Sequence, residues 1–218
     1  MGTVLAQDII DKAEIVLQDT TNVRWPAEEL LGWLNLGQLA VVQYAPDANA
    51  VTENVKLQAG TLQSIPDVGI RLIDVSRNVA VANHDQTVRA IRKTDRRFLD
   101  AQRPAWHNET PNPVVKHYMF DPKTPRIFYV YPPQPPAPRY VEISYSAAPS
   151  DVGFTNPIAL DDVYAGALLD YVLYRAYQKD ADYAANAARM EYHRKAFLAG
   201  IAGKEAGDQM AEPSEPAR

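Results

Sequence analysis

Apolar residues recur at three- and four-residue steps towards both ends of this chain and at two-residue steps between them. Leu5, Ile9, Ala13, Val16 and Leu17 make one stripe, with Asp8, Asp11, Lys12 and Glu14 turned outward, which predicts a first helix. Asp19-Thr20-Thr21-Asn22 interrupts it with side chains that bond their own backbone. A second helix starts at Pro26, gains Glu28 and Glu29 at its positive end, and stops at Pro46. Its stripe is Leu30, Leu34, Val41 and Ala45. Gly32 and Gly37 each cost about 1 kcal/mol of helix propensity, which suggests close approach by a neighbouring backbone.

From Val51 to Ala147 the period falls to two. Residues 51–57 and 62–65, joined by Ala59-Gly60, predict a hairpin. Residues 69–79 read as a longer strand. Residues 114–120 and 126–131 flank the turn Asp121-Pro122-Lys123-Thr124-Pro125 and make the clearest hairpin. Residues 140–145 are a last strand, with Val141, Ile143 and Tyr145 on one face. Thr94 is the expected cap of a short helix reaching Gln102. The prolines of residues 131–140, YPPQPPAPRY, predict a stiff extended connector.

Helical spacing returns at Leu160-Asp161-Asp162, where the acids fit an N-cap and a first turn rather than a catalytic pair. Tyr164, Ala167, Leu168, Tyr171 and Val172 form the stripe of this third long helix. Asp180 opens a fourth, packed through Tyr183, Ala187, Met190, Phe197, Leu198 and Ile201. After Gly203 the sequence KEAGDQMAEPSEPAR carries no apolar period and is expected to stay flexible until a partner holds it. Each long helix has a single apolar stripe, so the four need one another. The expected fold is α+β: a four-helix bundle of the N- and C-terminal helix pairs (1–48 with 158–203), an inserted antiparallel β-rich region (49–157), and an extended C-terminal tail (204–218).

Charge changes the picture in one place. The 22 Lys and Arg against 27 Asp and Glu give a net charge of -5, which disfavours a protein that wraps nucleic acid over its whole surface. Residues 89–103, RAIRKTDRRFLDAQR, nevertheless hold six bases against Asp95 and Asp100, a local excess of 6 − 2 = +4. Only Phe98 interleaves them, so stacking on single strands is poorly supported. A protein neighbour met through Arg92, Arg96 and Arg97 is the expectation, and a nucleic-acid-binding accessory role for 89–103 is the alternative. The tyrosines of the last two helices exceed what one stripe can bury, which makes Tyr174 and Tyr177 candidate contacts, with Met210 of the tail.

Little else points to chemistry. Cysteine is absent, so disulfides and thiolate metal sites drop out. No phosphate-binding glycine motif, nucleophile elbow or HExxH pattern occurs. A small enzyme would have to use His107 or His117 with a nearby carboxylate. No catalytic, metal or cofactor site is therefore expected. Nor is a membrane partner: no stretch approaches the roughly 18 apolar residues that span a bilayer.

Several blocks in order, VRWPAEELLGWLNLGQLAVVQYAPDANAVTENVKLQAGTLQSIP, GIRLIDVSRNVA, VKHYMFDPKTPRIFYVYPP, VEISYSAAPSDV and IALDDVYAGALLDYVLYRAYQKDADYAANAARMEYHRKAFLAGI, resemble phage and prophage head-to-tail adaptor (connector) proteins, similar to the tail tubular A-type adaptors of short-tailed phages. The resemblance runs from about residue 4 to 202 and carries no catalytic motif. It implies a helical bundle with a β-rich insertion. It further implies a virion protein, made in the host bacterial cytoplasm, that forms a homo-dodecameric ring between portal and tail nozzle or tail tube. Double-stranded DNA would pass through that ring without specific binding. The C-terminal segment of such proteins often reaches the portal or a neighbouring subunit.

Overall fold

A computed structural model describes residues 2–79, 87–180 and 184–211, and it separates the chain into two compact units. One combines residues 1–48 with 149–218; the other is residues 49–148. The whole is mixed α and β, with five α-helices and two four-stranded sheets among the described residues.

The first unit holds α1 (Ala6–Leu17), α2 (Ala27–Tyr44), α4 (Ala165–Lys179) and α5 (Ala184–Ala211). Helix α4 lies against α1, α2 and α5, and α1 also touches α2. Its apolar residues Leu168, Val172, Leu173 and Ala176 are buried. Polar side chains fasten the two ends of the chain together. Asp162 accepts from Thr3 N (2.7 Å), Thr3 Oγ1 (2.6 Å) and Val4 N (2.9 Å). These bonds, the Thr3 hydroxyl foremost, hold its carboxyl below the usual range. Asp161 caps the 3-10 turn 162–164 through Val163 N at 3.0 Å. The acidic pair thus acts as a clasp and a cap. Gln38, 1% exposed, accepts from Ala159 N at 2.6 Å, while Asn35 exchanges two bonds with the backbone of Val152.

The glycine expectation divides. A Cβ on Gly37 would stand 2.9 Å from Tyr171 Cδ1 and 3.3 Å from Leu168 Cδ2, so α2 and α4 approach closely there. The neighbour is a side chain, not backbone. Gly32 faces open space. Helix α5 also departs from expectation, continuing through Ala211 where flexibility was expected from residue 204. Lys204, Glu205, Ala206, Gln209 and Ala211 are strong helix formers, and local propensity carries the helix beyond its last apolar contact. Tyr183, Asp182 and residues 212–218 lie outside the described residues.

The second unit is built from β1 (Ala50–Lys56), β2 (Gly60–Ser64), β3 (Gly69–Val79), β4 (Thr87–Ala90), β5 (Arg92–Lys93), α3 (Arg96–Gln102), β6 (His117–Phe120), β7 (Ile127–Gln134) and β8 (Tyr140–Ala147). One sheet runs β1-β8-β3-β4, all antiparallel. The other runs β2-β7-β6-β5, antiparallel except for β5 beside β6. Leu72, Val75, Val141, Ile143 and Tyr145 of the first sheet share a core with Tyr118, Phe128 and Val130 of the second. In β3 buried residues fall at every third position from 69 to 78, with Val79 buried as well, as the register shifts between Gly69 and Arg71, Leu72 and Asp74, and Val75 and Arg77.

Two expectations fail here. β1 and β2 do not form a hairpin: β1 pairs with β8 and β2 with β7, in different sheets. The intervening turn crosses from one sheet to the other through Gly60 at φ 95°. Gln63 holds that turn, accepting from Gln58 N at 2.7 Å and donating to Gln58 O at 2.9 Å. The proline connector is also half strand, since β7 continues through Pro132 and Pro133 to pair Gln134 with Gly60.

Candidate assembly surface

The basic segment folds as four pieces, not one helical face. Arg89 sits on β4 in the first sheet; the chain then crosses at buried Ile91, placing Arg92 and Lys93 on β5 in the second. Arg96 and Arg97 occupy the first turn of α3, and Arg103 follows its end. The cap of α3 is Asp95, whose carboxylate accepts from Arg97 N at 2.8 Å, and not Thr94, whose N–H is engaged by Tyr118 O.

What fixes α3 is an aromatic cluster on the outer face of the second sheet. Along β7, Phe128 and Val130 enter the sandwich core, while Tyr129 and Tyr131 point the other way, as strand alternation requires. Against them lie Leu99 of α3, Met119 of β6 and Trp106, which is fully buried. Trp106 donates Nε1–H to Asp100 at 2.8 Å and stacks on His107 at 3.6 Å. Arg96 lies over the Tyr129 ring at 4.8 Å and pairs with Asp100 at 3.4 Å. Arg103 donates to the Tyr131 hydroxyl, which in turn donates to Glu109, each at 2.8 Å. Burial, and then the Glu109 partner, push the Tyr131 phenol up.

Beyond this cluster the outer face stays open. A groove of about 920 Å³ runs between α3 and the β6–β7 turn. Leu62, Ile127 and Tyr129 give it an apolar floor, with Leu62 51% and Ile127 39% exposed. Its carboxylates are engaged internally: Asp95 caps α3, Asp100 holds Trp106 and Arg96, and Asp121 accepts from Lys123 N at 2.9 Å. Among the described residues, Lys93, Arg97 and Lys123 at its rim have no acidic partner. Four bases (Lys93, Arg96, Arg97 and Lys123) and three acids (Asp95, Asp100 and Asp121) line the groove, 4 − 3 = +1, and the bases without an acidic partner stand at its rim.

The other candidates are scattered over the helical unit. Tyr174 is half-buried, edge-on to Tyr171 at 5.8 Å. Tyr177 is only 4% exposed, parallel to His193 at 5.7 Å, and Arg189 lies over its ring at 5.6 Å. Within the single chain that stacking leaves Tyr177 little surface to offer a partner. Tyr192, 67% exposed, has the free surface that Tyr177 lacks. Met210 lies in the last turn of α5, and its side chain is outside the described residues.

The histidines do not assemble a dyad of the kind the enzyme reading needs. His107 Nδ1 meets Thr61 Oγ1 at 2.7 Å, and His117 stacks on Tyr131. Among the described histidines it is His193 that bonds a carboxylate, Asp170, at 2.8 Å. His84 lies outside the described residues. Among the described residues, no group of three His, Asp or Glu side chains could hold a metal ion, and no helix is long and apolar enough to cross a membrane.

Burial, and then the nearby cations Arg96 for His107 and Arg92 for His117, hold both imidazoles below their ordinary value. The unfolded chain therefore binds protons that the folded unit refuses. Their contribution to stability is complete above about pH 6.5 and is lost as pH falls from there through the lowered values of the folded state. Hydrogen exchange of the β7 and β8 amides is expected to quicken between pH 7 and pH 5, after correction for intrinsic rates. Replacing both histidines with glutamine should flatten that dependence; an unchanged slope would refute the assignment.

A family model described as SU10 adaptor protein matches residues 5–217, nearly the full length. The chain belongs to the SU10 adaptor protein family. No curated protein matches it. Membership agrees with the resemblance to phage head-to-tail adaptors read from the ordered sequence blocks, and it makes both units, not one alone, parts of the adaptor. For an SU10 adaptor family member the features of interest are faces for protein contact. The groove is one such face.

Proposed function

We propose that the protein is the structural head-to-tail adaptor subunit of a bacteriophage virion, forming a homo-dodecameric ring between the portal and the tail nozzle or tail tube. The match of the family model over residues 5–217 carries this reading. In it the helix pairs from the two ends of the chain act as one four-helix bundle, and the β-rich unit offers contact surfaces to other proteins. The role is structural rather than catalytic. Genomic DNA passes through the lumen without specific binding, which suits a subunit of net charge -5.

The test is imaging of the purified protein mixed with portal. A ring seated under the portal is expected; a portal that stays bare at saturating protein would refute the reading. The basic segment faces a protein neighbour and not the lumen. Arg96→Glu combined with Arg97→Glu is expected to cut incorporation into the head–tail assembly by about tenfold or more. Incorporation at the wild-type level would overturn that placement.

A second reading, a nucleic-acid-binding accessory protein using residues 89–103, draws on the charge of the β-rich unit. That unit has 13 Lys and Arg against 9 Asp and Glu, 13 − 9 = +4. Duplex binding that weakens steeply with salt would favour it.

A further inference from the structure

The charge of the chain is divided by unit. Residues 49–148 carry +4, whereas residues 1–48 with 149–218 carry 9 Lys and Arg against 18 Asp and Glu, 9 − 18 = −9. Every copy thus bears two unlike surfaces that attract one another. On the basic unit the attraction has a shaped focus, the groove with Lys93, Arg97 and Lys123 at its rim and Leu62 and Ile127 on its floor. On the acidic unit, α1 exposes Asp8, Asp11 and Ile15 along one stripe, with Lys12 at its margin. Ile15 is 67% exposed and Val16 beside it 46%. Asp11 has no cationic partner among the described residues; its contact is the Gln7 amide. A helix with apolar side chains on its outer face as well as its inner one has area to bury against a second surface.

We infer that the groove of the β-rich unit receives the outer face of α1 from a second copy of this chain. Asp8 and Asp11 then meet Arg97 and Lys123, and Ile15 covers Leu62 and Ile127. The two patches differ and lie on different units, so the contact is head-to-tail. Repeated from copy to copy, such a contact closes into a ring when the rotation allows and otherwise grows an open chain. The inference rests on the ring reading for its setting, but it assigns the surfaces, which that reading leaves open.

The experiment is sedimentation of the full chain over a range of concentrations at about 0.05 M and about 0.5 M salt, with imaging of the species formed. Wild-type mass is expected to rise with concentration at low salt and to fall back at high salt. Arg97→Glu with Lys123→Glu is expected to weaken association by about tenfold, and so is Asp11→Lys. All three replaced residues are exposed, and an acid in the first turn of α3 suits the helix dipole, so the variants should fold. Combining the groove and α1 reversals should restore association, because the charges are exchanged and not removed. A wild-type chain that stays monomeric throughout overturns the inference. So do rings that form equally well from the groove variants, an outcome that leaves the ring reading standing. An effect of the groove variants without any effect of Asp11→Lys also overturns it, and points to another partner in the groove. Open chains sensitive to both reversals support the inference and count against the ring.

Discussion

Replacing Trp106 with alanine is expected to destabilise the β-rich unit by about 3–5 kcal/mol, the largest effect of any single side chain on the candidate surface. The indole is fully buried, edge-on to Tyr129 at 6.1 Å and to Tyr131 at 6.4 Å, and flat against His107. Its removal opens a cavity beneath α3 and leaves Asp100 without its Nε1–H donor. α3 has only seven residues, too few to persist as an isolated helix, so its position depends on this packing. The loss should therefore spread to Arg96 and Arg97 and to the groove they border.

Trp106→Phe separates the contributions. It keeps most of the apolar area and gives up the hydrogen bond to a carboxylate that water can reach, for an expected cost of about 1–2 kcal/mol. Urea unfolding followed by hydrogen exchange of the β6 and β7 amides measures both. A cost below about 1.5 kcal/mol for the alanine variant would mean that the cluster is not what holds α3, and the mechanical account of the groove would fall with it.

The sequence was most informative where a residue's partners are near it in the chain. The hairpin expected from residues 114–120 and 126–131 is a local pattern, two apolar runs flanking a proline-containing turn, and it forms as β6 and β7. Val141, Ile143 and Tyr145 share a buried face for the same reason. The stripes of α1, α2 and α4 correspond mostly to buried positions because helical periodicity is also a local property, although Leu5 and Val16 of the first stripe are exposed. The pairing of β1 and β2 was misread because a short turn between two strands is ambiguous. Ala59-Gly60 permits a hairpin within one sheet or a crossing between two, and Gln63, bonded to Gln58, selects the crossing. Tyrosine suits an interface and a core alike, and the burial of Tyr177 depends on His193 and Arg189 from a different helix, which its sequence neighbours do not show.

The basic segment was visible as composition but not as a surface. Its bases are shared among two strands, a helix and a loop, and the apolar floor between its banks comes from Leu62 and Ile127, 65 positions apart (127 − 62). The charge division between units follows from the boundary after residue 48 and does not show in the total. The net value of -5 conceals two larger and opposite figures. A single overall charge is thus a poor guide to partners whenever the chain folds as two bodies, since each body presents its own field.

Asn78 had no signal in the sequence at all, and its replacement by alanine is the second large effect expected. It lies in β3 at 4% exposure, where the strand pattern alone would place an apolar residue. Its Nδ2 donates to Arg89 O at 2.9 Å and to Val115 O at 2.8 Å, and its Oδ1 accepts from Val115 N at 2.8 Å. One side chain therefore satisfies three backbone groups. Two of them belong to Val115, which leads into β6 of the other sheet, so Asn78 ties the two layers of the sandwich at a point where no strand pairing does so. Alanine would leave the N–H and C=O of Val115 buried without partners, at about 1–3 kcal/mol for each unsatisfied group. A total of about 2–4 kcal/mol is expected once partial relaxation is allowed for. Leucine, which restores volume but no hydrogen bonds, should rescue little of this. If packing were the main role of Asn78, leucine would instead recover most of the stability. Exchange of the Val115 amide reads the mechanism directly. It should lose protection beyond the global change in both variants, and retained protection would show that Asn78 does not hold the two sheets together.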